Sequence, residues 1–112
     1  MVVPVVSEDI TQKELDDMMH SAMTASRFLK AISHEGRLMI LCYLASGEKS
    51  VTDLETLLSS RQAAVSQQLA RLRSEGLVIA RREGKVIHYR LADKRATKIL
   101  DVVYEIFCNK PT

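Results

Sequence analysis

The segment Val51 to Gly76, VTDLETLLSSRQAAVSQQLARLRSEG, runs directly into LVIARREGKVIHYRL. The first part reads as a short helix, a tight turn and a second helix. The second reads as two strands, Val78 to Glu83 and Val86 to Leu91, rich in β-branched and aromatic residues and joined at Glu83-Gly84-Lys85. A helix-turn-helix followed by a basic hairpin restricts the chain to the winged helix-turn-helix layout, which sets one helix into the major groove of DNA.

The flanking sequence supplies three more helices. The first opens at a capping box, Thr11 with Glu14, framed by a staple between Ile10 and Leu15. Its apolar positions Leu15, Met18, Met19, Ala22, Leu29 and Ile32 recur at helical spacing, and it ends near Ser33. Ser33 is placed to cap a second helix whose Leu38, Leu41, Cys42 and Ala45 face inward, so Cys42 falls on a buried face. Gly47 stops that helix. Ser50 and Asp53 form a capping box for the third helix, with Leu54, Leu57 and Leu58, and Ser59 or Ser60 opens the fourth. Asp93 caps a fifth, carrying Ala96, Ile99, Val102, Val103, Ile106 and Phe107. The expected fold is therefore mainly α with a β-hairpin: four helices, two strands and a final helix.

At 112 residues the chain makes one domain, small for burying a core alone, which implies a homodimer. The apolar surface of the fifth helix exceeds one side of a small domain, so that helix, with the first, is the expected isologous interface. Residues 1–10 read as a flexible arm, 11–109 as the DNA-binding and dimerisation domain, and 110–112 as a tail. MVVPVV lacks a basic leader, a longer apolar core and a small-residue cleavage site, so it does not read as a signal peptide. No run approaches the roughly 20 apolar residues of a membrane span. Two cysteines without a secretion signal point to a reducing compartment, the cytoplasm.

Charge is unevenly placed. Residues 1 to 60 hold 9 acids and 5 bases, whereas residues 61 to 95 hold 9 bases and 3 acids. The positive segment coincides with the fourth helix and the hairpin, as expected where phosphate neutralisation supplies affinity. In the fourth helix Val65, Leu69 and Leu72 stand at i, i+4 and i+7 and anchor it to the core. The opposite face presents Gln62, Ala63, Ser66 and Gln67, then Arg71 and Arg73. Gln pairs with adenine, Ser donates or accepts, and Ala touches a thymine methyl. Arg81, Arg82 and Lys85 at the hairpin tip are the candidate phosphate or minor-groove contacts. A symmetric dimer would set two copies of the fourth helix about 34 Å apart on an inverted repeat of double-stranded DNA.

The run AISHEGRLMILCYLASGEKSVTDLETLLSSRQAAVSQQLARLRSEGLVIARREGKVIHYRL resembles the ArsR family of bacterial winged-helix repressors over nearly the whole chain. HEGRLMILCYL and the Cys near the end of the fifth helix resemble its sulfide- and persulfide-responsive branch, the SqrR and BigR type. The family includes metal sensors, but their residues are missing here. Ser50 and Thr52 stand where soft-metal members carry Cys-x-Cys. Arg95 stands where members with an interfacial zinc site place a His after Asp93. His20, His34 and His88 lie on different elements without ligand spacing, so neither a metal nor another cofactor is expected.

On spacing alone, Cys42 and Cys108 read as small packing residues. The resemblance implies instead that they are sensor thiols. A low-molecular-weight persulfide would convert them to an intramolecular di- to tetrasulfide bridge, releasing DNA and derepressing sulfide-detoxification genes. Tyr104, one turn before Cys108, either shapes a sensor pocket or packs in the dimer. A general disulfide switch and a repressor with inert cysteines would use the same residues. The chain holds no paired carboxylates, nucleophile with base, or phosphate loop that would make it an enzyme.

Overall fold

Side-chain caps decide where the helices of this chain begin. In the computed structural model, which describes residues 9–59 and 62–108 (for Gln62 the backbone alone), α1 spans Gln12–Ile32. Thr11 Oγ1 accepts from the Glu14 amide at 3.1 Å. Residues as far as Lys30 form one unit and the chain from Ala31 onward another. The expected arm falls almost wholly, and the tail entirely, outside the described residues. No helix among the described residues is long and apolar enough to cross a membrane.

In the second unit α2 spans Glu35–Ala45, and its cap is His34 instead of the expected Ser33. His34 is extended (φ −146°, ψ 130°), and its Nδ1 accepts from the amides of Gly36 at 3.0 Å and Arg37 at 3.4 Å. An unprotonated imidazole nitrogen thus does what a cap oxygen usually does. The inward face is also corrected: Ile40, Leu41 and Leu44 are buried and Leu38 is half-buried, while Cys42 and Ala45 are exposed. LMILCYLA is apolar all round, so periodicity does not select its buried side.

A two-residue strand, β1 (Lys49–Ser50), follows and was not legible in the sequence. Ser50 then caps α3 (Val51–Leu58), with reciprocal 3.1 Å bonds between Ser50 and Asp53. Ser59 closes α3 in the left-handed region (φ 52°) with its amide on the Glu55 carbonyl, so it does not open the next helix. Ser60, the alternative opener, lies outside the described residues. Helix α4 spans Gln62–Ser74. It ends in a Schellman motif: Leu77 N–H reaches the Leu72 carbonyl at 2.9 Å and Gly76 N–H the Arg73 carbonyl at 3.0 Å. Gly76 takes φ +74°, which costs an L-residue about 1–2 kcal/mol.

Strands β2 (Val78–Glu83) and β3 (Val86–Leu91) pair antiparallel from Val78 opposite Leu91 to Glu83 opposite Val86. Gly84, at φ +63°, takes the first of the two loop positions. β3 is central, because β1 adds to its other edge with Lys49 opposite Tyr89 and Ser50 opposite His88. Asp93 caps α5 (Lys94–Val103), and the chain continues as a π-helical turn, Tyr104–Cys108, which the sequence did not signal. The core of this unit joins Ile40, Leu41 and Leu44 with Leu54, Val65, Leu69, Leu72, Leu77, Val78, Ala96 and Leu100.

Leu69 is fully buried, so Leu69→Ala is expected to destabilise by about 2–5 kcal/mol in urea unfolding. Hydrogen bonds from the Ser50 amide and hydroxyl hold the Asp53 carboxyl below its ordinary value. A depressed folded value gives stability that is present above the unfolded pKa, about 3.9, and lost as pH falls through the folded one. Asp53→Asn should therefore flatten the acid side of a stability profile below about pH 5, measured by circular dichroism.

Candidate nucleic-acid interface and cysteine pair

The apolar stripe of α4 fixes which side chains it displays. Val65, Leu69 and Leu72 are at most 1% exposed and face the core, where α4 packs against α2, α3 and β2. Ala63, Ser66, Gln67, Ala70, Arg71 and Arg73 are consequently exposed. Gln62 begins the helix, and its side chain lies outside the described residues. Arg71 Nε lies 3.6 Å from Glu75 Oε1, one turn on, in an exposed pair of small energetic weight.

A second constraint on α4 escaped the sequence reading. Arg37 of α2 donates from Nε to the Ala31 carbonyl at 2.6 Å and from a terminal nitrogen to Gln68 Oε1 at 3.2 Å. One guanidinium thus joins the residue before the α1–α2 turn to the fourth helix. The pair is 31 residues apart, and no local pattern announces it.

In the hairpin, Arg82 and Lys85 are exposed, but Arg81 is held by carboxylates. Its Nε lies 3.2 Å from both oxygens of Glu48, with a further 2.5 Å contact from a terminal nitrogen, and the other terminal nitrogen reaches Glu83 at 2.8 Å. These bonds push the Arg81 pKa up and hold both carboxyls below the usual range. His88 Nε2 stands 3.9 Å from Glu83. Glu48, in the turn after α2, carried no sequence signal for this role.

Cys42 and Cys108 are both free and exposed, which corrects the expected burial of Cys42. They stand on α2 and on the last residue of the π-helical turn, and α2 packs against α5. Partial burial pushes the Cys42 thiol up, and negative charge on Cys108 pushes it further. The two sulfurs are therefore within electrostatic reach despite 66 intervening positions in the chain. Tyr104, one turn before Cys108, is 64% exposed.

Among the described residues, no group of three or more His, Cys, Asp and Glu side chains is arranged to hold a metal. His34 uses its Nδ1 for the α2 cap, and Asp93 is bound by the Arg95 guanidinium through two nitrogens at 2.5–3.0 Å. Several apolar side chains remain exposed: Met19 and Met23 on α1, Val102 on α5, and Ile106 and Phe107 beyond it.

Residues 34–80 match the model of the bacterial regulatory protein family arsR. The biofilm growth-associated repressor of Agrobacterium fabrum is 45% identical over 100 residues, 89% of this chain and 86% of that protein. The transcriptional activator HlyU of Vibrio cholerae is 36% identical over 94 residues, 84% and 87% of the two chains. Among solved structures, the repressor BigR from Xylella fastidiosa superposes with a TM-score of 0.79 at 40% identity, covering 90% of this chain and all of that one. These matches bear out the resemblance drawn from the sequence. The chain belongs to the arsR family of bacterial regulatory proteins and is a winged-helix transcriptional regulator, not an enzyme.

Proposed function

We propose that this regulator is a homodimeric, cytoplasmic repressor that binds an inverted repeat in double-stranded DNA and releases it when persulfide bridges Cys42 to Cys108. The observation that carries the reading is the thiol pair, exposed and electrostatically coupled across α2 and the end of the last helix. The names of the relatives support it in part, since those from Agrobacterium fabrum and Xylella fastidiosa are repressors. Gln62, Ala63, Ser66 and Gln67 would read base edges, while Arg71, Arg73, Arg82 and Lys85 would meet phosphates. The exposed apolar side chains of α1 and the last helix would be covered by the second copy.

The chemistry balances without an outside oxidant, because the persulfide is both sulfur donor and electron acceptor. One cysteine thiolate attacks the terminal sulfur of RSSH, forms Cys–S–SH and expels RS⁻ as the leaving thiolate. The other thiolate then attacks the inner sulfur and displaces HS⁻, closing a disulfide. If both cysteines are persulfidated and one takes a further sulfur, closure gives a tetrasulfide: two thiols and three RSSH yield the bridge, three RSH and one H₂S. A plain disulfide requires Cα atoms within about 7 Å, whereas each inserted sulfur widens the gap that can be spanned.

The bridge would tie the helix that carries Arg37, and through it Gln68 of α4, to the end of the last helix. To move occupancy from 99:1 to 1:99, the two states must differ in DNA affinity by about 5.5 kcal/mol. By family resemblance the genes so controlled are those of sulfide detoxification.

Intact mass spectrometry with peptide mapping, after glutathione persulfide or hydrogen peroxide, tests the chemistry. A Cys42–Cys108 bridge retaining extra sulfur after persulfide alone is expected. The same plain disulfide from both reagents would replace persulfide sensing with general thiol redox control. In DNA-binding titrations, Cys42→Ser and Cys108→Ser should each bind like the reduced protein and fail to release on persulfide; release by either variant would refute the bridge.

A further inference from the structure

We propose that Glu48 and Glu83 withhold Arg81 from the DNA backbone, making Glu48 a residue that sets how strongly the protein binds DNA without regard to sequence. The inference rests on the reading of α4 and the hairpin as the DNA-binding surface. It revises the phosphate contact that the sequence suggested for Arg81.

The hairpin offers four cations, Arg81, Arg82, Lys85 and, on β3, Arg90, but they are not equivalent. All three nitrogens of the Arg81 guanidinium are engaged, Nε and one terminal nitrogen by Glu48 and the other by Glu83. This forked arrangement is the one a guanidinium would otherwise make with a phosphate, so carboxylate and phosphate compete for the same donors. Glu48 is the more enclosed of the two acids, with 29% of its side chain exposed against 68% for Glu83. The Arg81 hydrogen bonds keep both carboxyls in their charged form.

The arrangement also has an electrostatic consequence. One guanidinium and two carboxylates sum to −1, so the cluster does not add to the attraction between hairpin and DNA. Side chains alternate along a strand, which directs Arg82 to the face opposite Arg81 and Glu83. Arg82, Lys85 in the turn and the exposed Arg90 of β3 then supply the cationic contacts of the hairpin. Every additional phosphate contact strengthens binding to any sequence and steepens its salt dependence by about 0.9 in the log–log slope. Restraining one arginine per protomer leaves a greater share of the discrimination to the base contacts of α4.

The test is a set of fluorescence-anisotropy titrations of the full chain on a random-sequence duplex over a range of salt. Arg81→Gln should leave the slope unchanged. Glu48→Gln should tighten binding and steepen the slope by about 0.9 per protomer. The same change made in the Arg81→Gln background should have no effect. Glu83→Gln provides a second release of Arg81, should Glu48→Gln fail to fold by circular dichroism, and should steepen the slope in the same sense. Flattening by Arg81→Gln alone would show Arg81 already on a phosphate and overturn the proposal. An equal effect of Glu48→Gln in both backgrounds would also overturn it, since that result reflects net charge alone. No binding by the unaltered protein at any salt would overturn the DNA-binding reading itself.

Discussion

Burial of the Val65–Leu69–Leu72 stripe is the constraint on which the rest of the DNA-facing surface depends. Three side chains at most 1% exposed fix the rotation of α4 about its axis. Slipping by one residue would turn the helix by about 100° and place polar groups in the core. The exposed row Ala63, Ser66, Gln67 and Ala70 is the geometric complement of that buried stripe. The left-handed Ser59 before α4 and the Schellman motif after it deliver the chain at both ends without lengthening the helix.

Polar interactions then refine what apolar packing leaves free. Arg37 adds a long-range hydrogen bond to Gln68, and the Ser50–Asp53 box sets the start of α3 immediately after β1. Ser50 serves two elements at once: its backbone pairs with His88 in the sheet while its side chain caps a helix. The buried Ser50 therefore belongs to the sheet and to the helix-turn-helix at the same time. The Glu48–Arg81–Glu83 cluster ties the turn after α2 to strand β2 of the same sheet.

The cysteines stand on α2 and at the end of the last helix. Cys42 shares α2 with Arg37, so a restraint on one end of that helix acts on the element that holds Gln68. The helix also begins at the His34 cap, and its Ile40, Leu41 and Leu44 enter the common core. A short, packed helix of this kind moves as a body more readily than it bends.

Much of this molecule was legible in the chain itself. The i, i+4, i+7 spacing in α4, the Ser50–Asp53 box, the Asp93 cap, Gly76 and the two-residue hairpin turn are local signals, and each stands where expected. Local signals persist because they depend on neighbours within about one helical turn or across one tight turn. The buried side of α2 was not determined locally, since its sequence is apolar on every side; packing against α3, α4 and α5 selected Ile40 and Leu44 and left Cys42 exposed. Only the tertiary structure decided the β1–β3 pairing, the Arg37–Gln68 bond, the capture of Arg81 by Glu48 and the approach of Cys42 to Cys108. Each joins residues more than 30 positions apart, where the meeting of two side chains is settled by how whole elements pack and by no pattern within either one.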